Sequence, residues 1–329
     1  MRVNLIPAAS MLAVIGLATV ARADGLQGTP LSLMPPAAGD LQSQVQLAQN
    51  TAASPAVTTP APVPDMSGFL ANWLRTVEQA QASQPHWMTP LVTVTPRLEQ
   101  EVRYDQYWET RGNGSSLDVF DGGKGLELIP TGTNEVLINP PAYQEKGNTP
   151  HPAQGWLDDQ FLVVKQRLLS ANEQEGNYIV TAFLGVTAAS GNAAFTNAAW
   201  IITPTIAAGK GWGDFDVQAT MGVALPTRNQ STLGTSVATN IAFQYHAYQY
   251  FWPELEINDT YWMSGNERGG KNQVLLTPGI IFGRFEIYNR IRAIVGFGYQ
   301  TALSPKYTVT TEMTPTYDHA WILTTRLTF

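Results

Sequence analysis

The chain ends on a strand. In Trp321-Ile322-Leu323-Thr324-Thr325-Arg326-Leu327-Thr328-Phe329, Trp321, Leu323, Thr325, Leu327 and Phe329 share one face, because strand side chains alternate. Ile322, Thr324, Arg326 and Thr328 share the other. Chain termini usually fray. Alternation that runs to an aromatic last residue therefore narrows what the chain can fold into, and a closed sheet that needs its final strand is the first candidate.

The other end of the sequence points out of the cytoplasm. Arg2, the apolar run Met11 to Val20 and the small-x-small Ala21-Arg22-Ala23 predict a signal peptide over 1–23, cleaved after Ala23. No later stretch approaches the roughly 18 consecutive apolar residues of a membrane-spanning helix. Only helices and closed barrels satisfy their backbone inside lipid, so the chain is either soluble outside the cytoplasm or a barrel. Charged residues make up only 14 %, against about 25 % in average soluble proteins. Cysteine is absent, which excludes disulfides and thiolate metal sites. A net charge of −7 gives no reason to expect a nucleic-acid partner.

Residues 24–64 are rich in Pro, Gln, Ala and Thr and predict a disordered linker. Residues 65–86 predict an amphipathic helix, capped by Asp65 or Ser67 and stopped by Pro85. Its apolar residues Phe69, Leu70, Trp73, Leu74 and Val77 recur at helical spacing. Such a helix either packs against the base of the following domain or acts as a plug or interfacial anchor on the periplasmic side.

From 87 to 329 the period changes to two. A first strand is expected over 91–105, with Val92, Val94, Pro96, Leu98, Val102 and Tyr104 opposite Arg97, Glu99, Glu101, Arg103 and Asp105. Alternation recurs over 200–208, 214–225, 237–247, 253–261 and 291–299, while 126–138, 160–169 and 272–282 are apolar on both faces in places. Connections alternate too. Gly209–Gly213, Tyr248–Trp252 and Gly283–Asn289 are short, and Ala188–Asn197, Thr227–Thr235 and Leu303–Asp318 are long, as in barrels with short periplasmic turns and long external loops. Parity then demands a descending strand at Leu117–Asp121, turning at Asp121-Gly122-Gly123-Lys124 into an ascending 126–138. The fold expected is an all-β, closed antiparallel transmembrane barrel of about 12 strands, with roughly 10 or 14 as alternatives. Aromatics gather near both sets of strand ends, as interfacial girdles do.

The polar faces define a candidate lumen: Arg97, Glu99, Glu101, Arg103, Asp105, Lys165, Arg167, Asp216, Gln218, Gln244, His246, Glu254, Glu256, Arg292 and Arg326. Closure sets the last strand beside the first and predicts Arg326 next to Glu99 or Glu101. These charges either pair and fill a narrow barrel or form a constriction that sets selectivity. A turn centred near Tyr250 would face His246 with Glu254 and Gln244 with Glu256. No Ser or Thr stands beside that pair as a nucleophile, so no catalytic group, metal or cofactor is expected. Gly122-Gly123-Lys124-Gly125 lacks the phosphate-loop spacing, and Asp214-Phe215-Asp216 lacks the other ligands of a calcium loop.

The final strand resembles the C-terminal signal strand of bacterial outer-membrane barrels, which the assembly machinery of that membrane recognises. Further stretches carry a second likeness: Gly123-Lys124-Gly125-Leu126-Glu127-Leu128-Ile129-Pro130, Arg167-Leu168-Leu169-Ser170-Ala171-Asn172-Glu173, Ala208-Gly209-Lys210-Gly211-Trp212-Gly213-Asp214-Phe215-Asp216 and Tyr250-Phe251-Trp252-Pro253-Glu254-Leu255-Glu256. Over roughly 88–329 the chain resembles a family of outer-membrane proteins named for the meta-cleavage pathway of phenol degradation and labelled as transporters. The resemblance implies an outer-membrane channel that passes small molecules by passive diffusion, hydrophobic or aromatic compounds among them. Its partners would be outer-membrane lipid, the assembly machinery and a small solute. The alternatives are a structural or adhesion barrel acting through its external loops and, less favoured, a barrel-borne lipid hydrolase using His246.

Overall fold

A computed structural model describes residues 66–122, 125–304 and 317–329. The expected signal peptide, the linker 24–64, the Asp65 cap, Gly123-Lys124 and most of the last long loop lie outside the described residues. Among the described residues no helix is long and apolar enough to cross a membrane, which says nothing of strands.

The chain opens with α1 (Met66–Ala82), which ends three residues before Pro85. Fifteen strands follow, joined in one antiparallel sheet. They are β1 (Glu101–Thr110), β2 (Ser116–Phe120), β3 (Gly125–Thr131), β4 (Asn134–Ile138), β5 (Tyr143–Gly147), β6 (Ala153–Trp156), β7 (Asp159–Ala171), β8 (Tyr178–Ala188), β9 (Ile201–Trp212), β10 (Phe215–Pro226), β11 (Ser236–Tyr245), β12 (Phe251–Trp262), β13 (Asn272–Tyr288), β14 (Ile291–Ser304) and β15 (His319–Thr328). A short helix, α2 (Gln230–Leu233), interrupts the loop after β10. β15 pairs with β1 over its whole length, from Glu101↔Thr328 to Thr110↔His319, and closes the sheet.

Twelve staves result, because three are interrupted. β2 and β3 both run antiparallel to β1 on its same edge, β4 and β5 ascend beside them, and β6 leads into β7. The expected turn at Asp121–Lys124 is therefore a break within one descending stave, and 126–138 is two strands joined by a hairpin at Gly132-Thr133. The count of 12 survives because this error merges and splits equal numbers of staves. Local chemistry explains the breaks. Asp121 has φ of +61°, and Asn139-Pro140-Pro141 puts two residues without an N–H where a ladder would continue.

The expected first strand is the larger correction. Only 101–110 is strand, and 84–100 is irregular backbone buried almost throughout. The wall's alternation otherwise separates two surfaces. In β10, Asp216, Gln218 and Thr220 are buried and Phe215, Met221 and Leu225 exposed. In β15, Ile322, Thr324 and Arg326 are buried and Trp321 and Leu327 exposed. The outer face is apolar, with aromatic contacts toward each end: Trp212 on Phe215 at the short turns, and Tyr299 on Trp321 toward the long loops. The short turns are tighter than expected. β9 runs on to Trp212, leaving Gly213-Asp214, and β13 runs on to Tyr288, leaving Asn289-Arg290.

Candidate functional site

Residues 84–100 enter from the short-turn end, rise inside the barrel and descend along its wall into β1. Three prolines, Pro85, Pro90 and Pro96, keep this stretch out of any ladder. Its backbone groups still need partners once removed from water, and lumen side chains supply them. Glu254 accepts the N–H of Leu91 at 3.1 Å, and Glu256 accepts those of Val92 and Thr93 at 2.7 and 2.6 Å. Glu135 accepts that of Glu99 at 2.6 Å. On the carbonyl side, Arg326 donates to Thr89 and Pro90 at 2.6 and 2.7 Å, Arg103 to Leu91, and Gln218 to Met88 at 2.8 Å. Thr181 donates to Pro96 at 2.6 Å and Lys165 to Arg97 at 3.3 Å. The segment is a plug tied by side chains from around the whole wall.

Two plug side chains have seats cut for them. A Cβ on Gly296 or Gly298 would lie 2.7 Å from a methyl of Leu91, and Gly279 is closer still. A Cβ on Gly211 would lie 2.6 Å from the Trp87 indole nitrogen, beside Gly209. Leu91 completes a cluster with Met88, Trp252, Ile281 and Ile294. Below it, α1 lies at the short-turn mouth. Val77 and Ala80 pack on Leu98 and Ile129, Trp73 donates to the Ile129 carbonyl at 2.7 Å, and Glu78 pairs with Arg290 at 3.1 Å. At its C-terminal end Arg167 donates to the Ala80 carbonyl at 2.7 Å.

The sequence-derived lumen residues divide accordingly. Glu101, Arg103, Asp105, Lys165, Asp216, Gln218, Gln244, Glu254, Glu256 and Arg326 are buried inside the wall. Arg97 and Glu99 are buried too, but on the plug, where they pair at 3.0 Å. Arg103 grips Asp105 at 2.7 Å, and Lys165 grips Glu135 at 2.7 Å. Arg326 stands directly across from Arg103, with Glu101 as its diagonal neighbour on the same inner face, and spends its guanidinium on plug carbonyls. The β11–β12 register differs from expectation by two residues. Gln244 therefore meets Glu254, donating at 2.7 Å, and His246 is exposed and stacks on Trp252 at 4.2 Å. That removes the base-like pair on which a hydrolase reading would rest. Arg167 and Arg292 sit at the mouth, Arg292 exposed and 3.7 Å from Glu286.

Outside the membrane-depth strands, Glu173 in the turn after β7 ties the plug's lower end. Burial pushes its carboxyl up, but the His86 ring at 3.0 Å and the His86 N–H at 2.5 Å more than offset that, leaving it below the usual range. Toward the long loops a cluster of neutral side chains crosses the lumen. Gln300 donates to Asn258 and Thr277, and Asn258 to Asn240 at 3.1 Å, while the Tyr317 hydroxyl donates to Gln300 from above. Asp158 pins the loop after β8 through Gly191, Thr196 and Asn197 at 3.0, 2.6 and 2.7 Å.

Sequence reasoning missed Trp87, Leu91, Arg284, Asp158 and the seating glycines. Two signals were present: prolines spaced through a supposed central strand, and glycines recurring on the inner face of β13 and β14.

No family model matches the chain, and no curated protein matches it. Solved structures do. An outer membrane channel from Pseudomonas putida F1 is 12 % identical with a TM-score of 0.45, covering 69 % of this chain and 92 % of that one. The NanC porin is 9 % identical with a TM-score of 0.43, covering 69 % and 98 %. OmpT of Vibrio cholerae is 10 % identical with a TM-score of 0.36, covering 70 % and 96 %.

Proposed function

We propose that this protein is an outer-membrane channel, closed by residues 84–100, that passes small molecules by passive diffusion once that segment moves aside. The plug carries the reading. Irregular backbone is tolerated at membrane depth only where protein buries it, and here it is fastened almost wholly by side-chain hydrogen bonds, which can be exchanged without unmaking the wall. A 12-stave barrel lies between filled 8-stranded barrels and open 16-stranded porins, so it has room for a removable occupant. The apolar outer face with aromatics toward both ends supports insertion. Exporting the chain and guiding it by its terminal strand to the assembly machinery belong to the same proposal, as does kinship with the phenol-pathway transporters.

Planar-bilayer recording tests it. The native protein is expected to conduct rarely, and a variant with 87–95 replaced by Gly and Ser of equal length to conduct several-fold more, with heat-modifiable gel mobility kept. If the variant folds and stays silent, the barrel is a closed structural one acting through its long loops.

A further inference from the structure

The plug leaves the short-turn mouth hollow. A cavity of about 370 Å³ remains between α1, the plug around Met88 and Thr89, and the lower ends of β13, β14 and β15. That volume is in the range of small-molecule sites. Several charges on its walls are matched within the protein: Arg290 by Glu78, Arg292 by Glu286, and Glu99 by Arg97. Three groups are not fully matched.

Arg284 is the first. By the alternation of β13 it would face outward, since Ile281 and Gly283 face in. A bulge between Gly283 and Phe285, with Arg284 at φ +62°, re-aims it. Bulges commonly serve that purpose, and a bulky residue at positive φ carries strain. Arg284 now donates to the Trp87 carbonyl at 2.8 Å, and no described carboxylate lies within ion-pair distance of it. The second is Arg97, 4 % exposed, whose Nε has no partner. The third is Glu101, 1 % exposed, with neither carboxylate oxygen hydrogen-bonded and Glu127 directly across the ladder. A buried polar atom without a partner is unfavourable. Incompletely partnered arginines and a carboxylate around one cavity suit a ligand carrying both complements.

We infer that this cavity binds a small amphoteric molecule, its carboxylate received by Arg284 and the free edge of Arg97, its ammonium by Glu101. An anion alone leaves Glu101 unmatched, and a cation alone leaves Arg284 unmatched. The inference rests on the channel reading only for its meaning as a substrate site.

Isothermal titration of the full-length protein in detergent with 4-aminobutyrate, 6-aminohexanoate, butyrate and butylamine tests it. At least one zwitterion is expected to bind about tenfold or more tighter than either single-charge probe, equivalent to ~1.4 kcal/mol. Arg284→Gln should bring the zwitterion down to the affinity of butylamine, and Glu101→Gln to that of butyrate. The comparison among the four probes on native protein needs no variant, so misfolding cannot rescue the idea. Absence of binding by all four, or butyrate binding as tightly as both zwitterions, overturns it. Binding involves no conduction: a protein that binds selectively and never conducts fails the channel reading alone, and one that conducts without selective binding fails this inference alone.

Discussion

From β8 to β15 the wall consists of eight uninterrupted strands of 10 to 17 residues. From β1 to β7 it consists of pieces as short as four residues, and the sheet forks. β2, β5 and β6 form one ladder, β3, β4 and β7 another, both springing from the same edge of β1. The long arc presents a largely apolar outer surface. The forked arc opens a depression in which polar Asp121 and Asn139 stand among Val102, Tyr104, Leu126 and Ile138. It is also where the plug descends into the wall, past Glu135 and Lys165. The long arc ties the plug by side chains alone and keeps its ladder. The forked arc must also pass the plug's chain into its own first strand, and there it gives up ladder bonds.

The first expected effect contrasts the outer faces of the two arcs. Met221→Arg, mid-strand in β10, should cost about 2–4 kcal/mol of folding stability in lipid vesicles, the range for a cation at mid-membrane on a barrel. Ile138→Arg, at the fork, should cost less than half as much, because polar groups already stand there. Urea titrations of both variants decide the matter, and equal costs would erase the distinction between the arcs.

The same contrast governs what the sequence discloses. Where strands run uninterrupted, period two reads true: Phe215, Val217, Ala219, Met221 and Leu225 fall on the outer face of β10 as their spacing predicts. The final strand closes on β1, as its alternation implies. In the forked arc the pattern misleads. Val92, Val94 and Leu98 alternate as a strand would, yet their alternation serves a plug whose two sides meet different walls. Nothing local in 84–100 says that Glu254 and Glu256, more than 150 residues away in the chain, take its amides. Most of the inward-facing polar residues were legible because polar residues alternate with apolar ones, His246 and Arg292 being exposed instead. Their pairing was not, because a two-residue register change moves His246 from Glu254 to Trp252 while leaving every face intact.

A second prediction separates plug from wall. Leu91→Ala empties a seat lined by three glycines, none of which can reach in to fill it. The cost should be about 2–5 kcal/mol, typical of large-to-small changes in a tight site. Because Leu91 belongs to no stave, hydrogen exchange should quicken over 87–95 and stay unchanged in β8–β12. Quickening spread evenly through the wall would mean that plug and barrel are one cooperative unit.

The smallest effect is at the mouth, where the plug's lower end is tied by His86 and Glu173. The Glu173 carboxyl ionises below its ordinary value of 4.5 when folded, because the hydrogen bonds from His86 outweigh burial. A group lowered by folding stabilises the folded form above its unfolded value and loses that contribution as pH falls through the folded one. The tie should therefore be complete at about pH 6 and weaken toward about pH 3. Glu173 is partly open to solvent, so screening keeps the effect within about 1 kcal/mol. The amides of Ser83, Gln84 and His86 should exchange faster as pH falls across that window, after correction for intrinsic rates, and Glu173→Gln should flatten the dependence. A native profile as flat as the variant's would show that the mouth is held by Arg167 and Ser170, which donate to Ala80, Ser83 and Gly132, and not by the carboxylate.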